Sequence, residues 1–159
     1  MNELACNPST SARIAAFAPV SGAFYQNSSG PCYPSRANIP ILEFHGGNDT
    51  IINYEGGEDL GDRGVTVPIP TWVQQWAQRN QCDTKNKTIN LANAAGTNIA
   101  NRTTWNCGTN QGADFALVSQ YYSSHLGHVW PTGANAGYNA THVIMDFFSW
   151  FDLGGLGSP

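Results

Sequence analysis

The chain has 159 residues, of which 41% are hydrophobic and 11% aromatic, so its length suffices for one domain with a sizeable core. Only 11% of the residues are charged, the formal net charge is -4, and the seven lysines and arginines are scattered along the chain. This pattern offers no basic surface for phosphates, which argues against nucleic acid and anionic membrane surfaces as partners. No apolar run approaches the roughly 20 residues of a membrane span.

Two apolar runs near the beginning of the chain predict buried strands of a parallel sheet. Residues 14–21 read IAAFAPVS and residues 39–45 read IPILEFH, and each run ends in turn residues. Pro70 and Thr71 then supply a plausible helix start. Apolar residues recur at helical spacing behind them, and we expect this stripe to be core: Trp72, Val73, Trp76 and Ala77.

The rest of the chain predicts a hairpin, a third strand and a last helix. Residues 83–112 are polar and rich in Asn, Thr and Gly, which favours a hairpin, and residues 114–122, DFALVSQYY, predict a strand. Residues 141–153 predict a helix with one apolar face, followed by a flexible tail, GGLGSP. The face comprises Val143, Ile144, Phe147, Phe148 and Phe151. This order of elements predicts half of a doubly wound α/β fold, without an internal domain boundary.

Four cysteines and no C-x-x-C pair predict two disulfide bonds, and therefore an oxidising compartment. Three pairings are possible. Pairing Cys6 with Cys32 and Cys82 with Cys107 is favoured because each bond then closes a local loop. Four free buried thiols are the alternative.

Five N-x-S/T triplets agree with the cysteines and predict a secreted glycoprotein. Asn27, Asn86, Asn101 and Asn139 are the candidate glycosylation sites, whereas we expect Asn48 to stay unmodified because a glycan there would crowd the site described next. The first residues, MNELACNPST, lack the basic and apolar regions of a signal peptide. We therefore expect the chain to start within a longer protein.

Asp49 and His128 are the candidate catalytic residues. Asp49 follows the second predicted strand, in HGGND, and His128 follows the third, in SSHLGHVWP, so both belong to loops at one edge of the sheet. An acid held against one imidazole nitrogen leaves the other nitrogen to take a proton from a hydroxyl. The order of acid and then His is that of α/β-hydrolases, in which a Ser in G-x-S-x-G comes first. No such motif precedes Asp49, and the nearest approach, Ser21 in APVSGAF, has Pro19 in place of a glycine.

The other histidines are assigned structural positions. We expect His125 at the surface, His45 packed under the turn of the acid, and His142 at a helix start or on the surface. A metal site made of His125 and His128 is disfavoured because no carboxylate stands at a matching spacing. We predict no metal and no other cofactor.

Structural alternatives stay open for each candidate. Asp49 is alternatively a turn residue without a catalytic role, since aspartate is common in turns such as GGND. His128 is alternatively a structural histidine whose ring nitrogens are hydrogen-bonded within the fold. Trp130, close to the base, suits the wall of an aromatic acyl or sugar pocket as well as it suits core packing.

Four stretches of the chain carry a resemblance to a known family: LACNPSTSARIAAFAPVSGAFY, ILEFHGGNDTIINYEGG, WVQQWAQRNQC and LGHVWP with the helix after it. They resemble the secreted fungal feruloyl esterases of the carbohydrate esterase class related to polyhydroxybutyrate depolymerases, and the resemblance covers nearly the whole chain. It implies an α/β-hydrolase fold in which residues 1–159 are a single partial domain, the C-terminal half of the sheet. It also implies that Asp49 is the triad acid and His128 the triad base. The segment LAC then lies on the helix after the nucleophile elbow, and the serine and the oxyanion-hole amides lie before Met1.

The expected activity follows from this resemblance. It implies a secreted serine-type ester hydrolase that needs no cofactor and releases hydroxycinnamoyl groups from feruloylated plant cell-wall polysaccharide such as xylan, or from small aryl esters. Acetylxylan esterase and polyester depolymerase activities are alternatives, because acyl choice depends on the pocket walls. A third possibility is an inactive fragment with at most weak carbohydrate binding through Trp130.

Overall fold

The computed structural model of the chain describes residues 1–26, 32–58, 63–93, 96–108 and 116–153, and the backbone of 155–156. Within these residues the protein is a mixed α/β structure. The helices are α1 (Asn2–Cys6), α2 (Pro8–Ser11), α3 (Ile69–Arg79), α4 (Gly133–Ala136) and α5 (Ala140–Ser149). The strands are β1 (Ile41–Gly46), β2 (Gly57–Glu58), β3 (Val65–Thr66), β4 (Asn86–Ala92), β5 (Asn98–Trp105), β6 (Val118–Ser123), β7 (Phe151–Asp152) and β8 (Gly155–Leu156).

The main sheet has four strands in the order β1-β6-β5-β4. β1 and β6 are parallel, with Gly46 opposite Ser123 at their carboxyl ends, which confirms the two predicted strands that lead to the candidate site. The predicted hairpin also forms, as β4 and β5, but β5 pairs antiparallel with β6 and so extends the sheet. The sheet is therefore mixed: the predicted strands pair in parallel, and the hairpin adds antiparallel strands that the sequence did not place in this sheet. β5 buries Ala100 and Trp105, so the hairpin contributes to the core and does not stand apart from it.

Residues 14–20 lie along the other side of β1. Phe17 and Val20 form isolated parallel bridges with Ile41 and Phe44, and regular strand pairing does not continue between them. The first predicted strand is thus present as an extended partner of β1 and not as a regular strand. Pro19, which has no N–H, lies in this segment and interrupts any longer ladder.

The outer edge of this segment is open among the residues that the structure describes. The backbone N–H and C=O groups of Ala16, Ala18 and Val20 make no hydrogen bond with any residue that the structure describes. Such an edge is a template for a further strand.

Helix α3 has the buried face that the sequence predicts. Pro70 sits in its first turn, where a missing N–H costs nothing. The Trp72 ring stacks on Phe24 with 3.6 Å between ring centroids, and Trp76 is fully buried. The tryptophan stripe is therefore core, as expected.

The end of the chain differs from the prediction. α5 ends at Ser149 and not at residue 153, because β7 then pairs with β8. Part of the tail that was expected to be flexible thus forms a short hairpin. Phe147 is buried on the predicted apolar face, but Phe148 is 39% exposed and lines an apolar groove beside Met1 and Leu4.

Both disulfide bonds have the favoured pairing, Cys6 with Cys32 and Cys82 with Cys107. The first joins α1 to the segment before β1, and the second joins the end of α3 to the end of β5. None of the described helices has the length and apolar character needed to cross a membrane.

The candidate glycosylation sites differ in exposure. Asn86 is exposed on β4, whereas Asn101 and Asn139 are half-buried. The Asn139 side chain caps α5 by accepting a hydrogen bond from the His142 N–H at 3.3 Å. Asn27 lies outside the described residues.

Candidate active site

Asp49 and His128 meet at the carboxyl end of the parallel strand pair. Asp49 Oδ2 lies 2.9 Å from His128 Nδ1. The aspartate side chain is fully buried, whereas the histidine side chain is 41% exposed. Because β1 and β6 run in the same direction, the loops after them leave the sheet at the same edge and bring the two side chains together.

Backbone hydrogen bonds hold these two loops against each other. The Gly47 N–H donates to the Ser123 carbonyl and the Asn48 N–H to the Leu126 carbonyl, each at 2.9 Å. A Cβ atom on Gly47 would overlap the Tyr122 hydroxyl. The second glycine of HGGND is therefore needed for the close approach that places the acid beside the base.

The Asp49 carboxylate is oriented by its own turn. Its Oδ1 atom accepts hydrogen bonds from the N–H groups of Ile51 and Ile52, both at 2.9 Å, which leaves Oδ2 for His128. A carboxylate only accepts hydrogen bonds, so the proton between the two side chains belongs to His128 Nδ1. In the neutral ring, Nε2 is then the unprotonated nitrogen, which is the form that a general base requires.

Nothing in the described part of the chain hydrogen-bonds to His128 Nε2. The ring is exposed, so this nitrogen can be reached by a group that lies beside the loop. Ser21, at the end of the segment before β1, has the left-handed φ of 48° that residues other than glycine rarely adopt. Its N–H donates to the Phe44 carbonyl at 2.9 Å, but no hydrogen bond joins Ser21 to His128.

A second acid and histidine lie beneath Asp49. His45 Nδ1 is 3.0 Å from Glu43 Oε1, and His45 Nε2 is 2.9 Å from the Ile52 carbonyl and 3.6 Å from Asp49 Oδ2. The other glutamate oxygen accepts from Gln120 Nε2 at 3.1 Å. The expected place of His45 under the turn is confirmed. We did not predict a role for Glu43, although a charged residue within the apolar run IPILEFH was a signal.

The buried pair shifts the pKa of both members. Burial raises the pKa of Glu43, and the hydrogen bonds from His45 and Gln120 lower it in part. Burial lowers the pKa of His45, but the hydrogen bond and charge of Glu43, the Ile52 carbonyl and the charge of Asp49 together raise it above its ordinary value. One proton is therefore retained between the Glu43 and His45 side chains.

Trp130 lies on the surface beside a cavity and not in the core. Its side chain is 51% exposed, and its Nε1–H donates to the Thr141 hydroxyl at 3.1 Å. The cavity of about 320 Å³ lies between Trp130 and residues of the open-edge segment, including Ala18 and Val20. The core alternative for this tryptophan was wrong, since half of its surface faces solvent.

The remaining histidines lie outside this constellation. His125 is exposed and its Nε2–H donates to the Asn135 carbonyl at 2.7 Å, and His142 is exposed at the start of α5. Among the described residues, no group of three or more His, Cys, Asp or Glu side chains is placed to hold a metal ion.

Comparison with known proteins adds no family assignment. No protein-family model matches the chain, and no curated protein is significantly similar to it.

Proposed function

We propose that this chain supplies the acid and the base of a Ser-His-Asp carboxylic-ester hydrolase of the feruloyl esterase type, with an α/β-hydrolase fold. The nucleophilic serine of this proposal lies upstream of the 159 residues. The observation that carries the proposal is the 2.9 Å hydrogen bond between Asp49 and Nδ1 of the exposed His128, at the carboxyl end of parallel strands.

The chemistry divides into two proton transfers through His128. Its Nε2 atom takes the hydroxyl proton as the serine oxygen attacks the ester carbonyl, and the imidazolium then returns this proton to the departing alcohol oxygen. In the second half, Nε2 takes a proton from water, which attacks the acyl-serine, and gives the proton back to the serine oxygen. The buried Asp49 carboxylate stabilises the imidazolium in both halves. These steps need no cofactor.

The open edge of the sheet supports a nucleophile from outside the chain. A further strand that pairs in parallel with Ala16, Ala18 and Val20 would end at the same edge as β1 and β6. The loop after that strand would then join the loops of Asp49 and His128. Residues 1–159 are, in this proposal, the C-terminal half of the hydrolase sheet.

Trp130 supports an aromatic acyl group as the substrate. Its ring stands close to His128 in the chain, half exposed, and forms one wall of a cavity next to the open edge. A flat, partly apolar wall of this kind suits a hydroxycinnamoyl ring, as in feruloylated polysaccharide. Acetylxylan and polyester substrates are the alternatives within the same chemistry. The two disulfide bonds support a secreted enzyme.

The test compares ester hydrolysis by the 159-residue chain and by a chain extended upstream to include a serine elbow. Methyl ferulate and p-nitrophenyl acetate are the substrates, with His128→Ala as the test variant and His125→Ala as its control. We expect activity only in the extended chain, lost with His128→Ala and kept with His125→Ala. Activity of the extended chain that survives His128→Ala contradicts the proposal. Activity of the short chain that Ser21→Ala abolishes places the nucleophile at Ser21.

A further inference from the structure

We propose that His45 is a positioning residue for Asp49: an imidazolium, held by Glu43, that fixes the acid turn through the Ile52 carbonyl and places its positive charge beside the Asp49 carboxylate. The inference rests on the proposed function in one respect, since Asp49 matters here as the group that orients His128. The geometry that carries it is a continuous chain of contacts from the buried Glu43, His45 and Asp49 side chains to the exposed His128.

The protons of His45 can be assigned from its partners. The Ile52 carbonyl can only accept, so His45 Nε2 carries a proton, and the same nitrogen lies 3.6 Å from Asp49 Oδ2. His45 Nδ1 and Glu43 Oε1, 3.0 Å apart, share a second proton. With that proton on nitrogen, the pair is an imidazolium and a carboxylate; with it on oxygen, both groups are neutral.

The surroundings favour the ion pair. Gln120 Nε2–H donates to the second oxygen of Glu43 at 3.1 Å, and the amide is held in this orientation by the Tyr54 hydroxyl, which lies 3.5 Å from Gln120 Oε1. The Asp49 carboxylate on the far side of the ring also favours a positive His45. These contacts stabilise the carboxylate of Glu43 and the charged ring together.

The same arrangement locks the turn that orients Asp49. Ile52 donates its N–H to Asp49 Oδ1 and accepts the His45 Nε2–H at its carbonyl, both at 2.9 Å. Rotation of the Asp49 carboxylate therefore disturbs a residue that His45 holds in place. Asp49 Oδ2 in turn accepts the His128 Nδ1–H on its exposed side and lies 3.6 Å from His45 Nε2 on its buried side.

The charge on His45 is tested by nitrogen NMR of the 159-residue chain labelled with ¹⁵N-histidine. Glu43→Gln keeps the shape of the side chain, and its amide can donate to Nδ1 of a neutral His45 and accept from Gln120. We expect both ring nitrogens of His45 to be protonated near neutral pH in the parent chain, and only Nε2 in Glu43→Gln. The titration midpoint of His45 should fall by about one to three pH units. A His45 that is singly protonated in the parent chain overturns the ion pair.

The positioning role is tested by the double variant Glu43→Gln/His45→Phe against Glu43→Gln alone. Phenylalanine keeps a ring at this position, where His45 packs 5.8 Å from Tyr54 between ring centroids, but it has no N–H for Ile52. We expect His128 to remain in its Nδ1–H form in the single variant and to become a mixture of the two neutral tautomers in the double variant. If His45 only fills space, the double variant keeps the Nδ1–H form, and the proposal is wrong.

Two further measurements keep the outcomes separate. His45→Gln keeps an amide donor but has no ring. If the N–H of His45 positions Asp49, this variant should retain more of the His128 Nδ1–H form than the double variant does. If ring packing positions Asp49, it should retain less. This comparison also serves if the phenylalanine variant does not fold. The NMR readouts do not depend on ester hydrolysis, so an extended chain without activity refutes the proposed function and leaves the role of His45 to these spectra.

Discussion

Replacing Asp49 with asparagine tests the orientation of the base, because it changes one atom at the centre of the site. The carboxylate accepts three hydrogen bonds: from the N–H groups of Ile51 and Ile52 on Oδ1 and from His128 Nδ1 on Oδ2. In Asp49→Asn the amide oxygen still accepts from the turn, but the amide nitrogen replaces Oδ2 and donates. Nδ1 of His128 must then act as an acceptor, which places the ring proton on Nε2 and removes the base.

The magnitude follows from these three bonds. A hydrogen bond to a charged group contributes about 1 kcal/mol more than a neutral one. Weakening two bonds and reversing the third should therefore lower the free energy of unfolding by roughly 2–3 kcal/mol. In the extended chain, with the ring in the wrong tautomer, we expect kcat to fall by about 10⁴-fold.

Urea unfolding, ¹⁵N-histidine NMR and methyl ferulate hydrolysis measure the three effects. Asp146→Asn, on the exposed side of α5, is the matched control and should change none of them. A chain with Asp49→Asn that keeps the Nδ1–H form of His128 and its full stability would refute the assignment of Asp49 as the orienting acid.

Three more predictions concern the support of the site and the fold. Gly47→Ala should separate the two loops, because the new Cβ overlaps the Tyr122 hydroxyl. In ¹⁵N-histidine NMR we then expect the His128 ring to lose its single tautomer. Gly133→Ala, at an exposed position with open space around it, is the control and should leave the tautomer unchanged. Replacing Cys82 and Cys107 with serine opens a loop with a sequence separation of 25 and should cost about 3 kcal/mol in urea unfolding; an unchanged midpoint contradicts this. The pKa of His45 is raised in the folded state, so the stabilisation that its charged form contributes is complete below its unfolded pKa and is lost as the pH rises through its folded pKa. The urea midpoint should therefore fall as the pH rises over that range. An equal fall in Glu43→Gln would show that the titration of His45 does not cause it.

Much of the candidate site could be predicted from the sequence because it depends on local patterns. The apolar run before HGGND defines β1, and DFALVSQYY places β6, so the loops with Asp49 and His128 could be assigned to one sheet edge. The hydrogen bond between these residues agrees with that assignment. The cysteine pairing also agreed, because each bond closes a short loop.

Two features that the sequence did not predict depend on contacts between residues far apart in the chain. No local pattern says that β5 pairs with β6, and this antiparallel pairing makes the sheet mixed. Glu43 was overlooked because burial of a charged side chain depends on partners, and Gln120 comes from another strand. The early end of α5 depends on the pairing of β7 with β8, which overrides the helical periodicity.

The most direct measurement is the mass-spectrometric location of a fluorophosphonate label, which reacts with an activated serine. In the extended chain, the proposed function predicts labelling of one serine upstream of the 159 residues, with the label lost in His128→Ala and in Asp49→Asn. Labelling of Ser21, or labelling of the upstream serine that persists in His128→Ala, would contradict a triad completed by Asp49 and His128 across the open edge of the sheet.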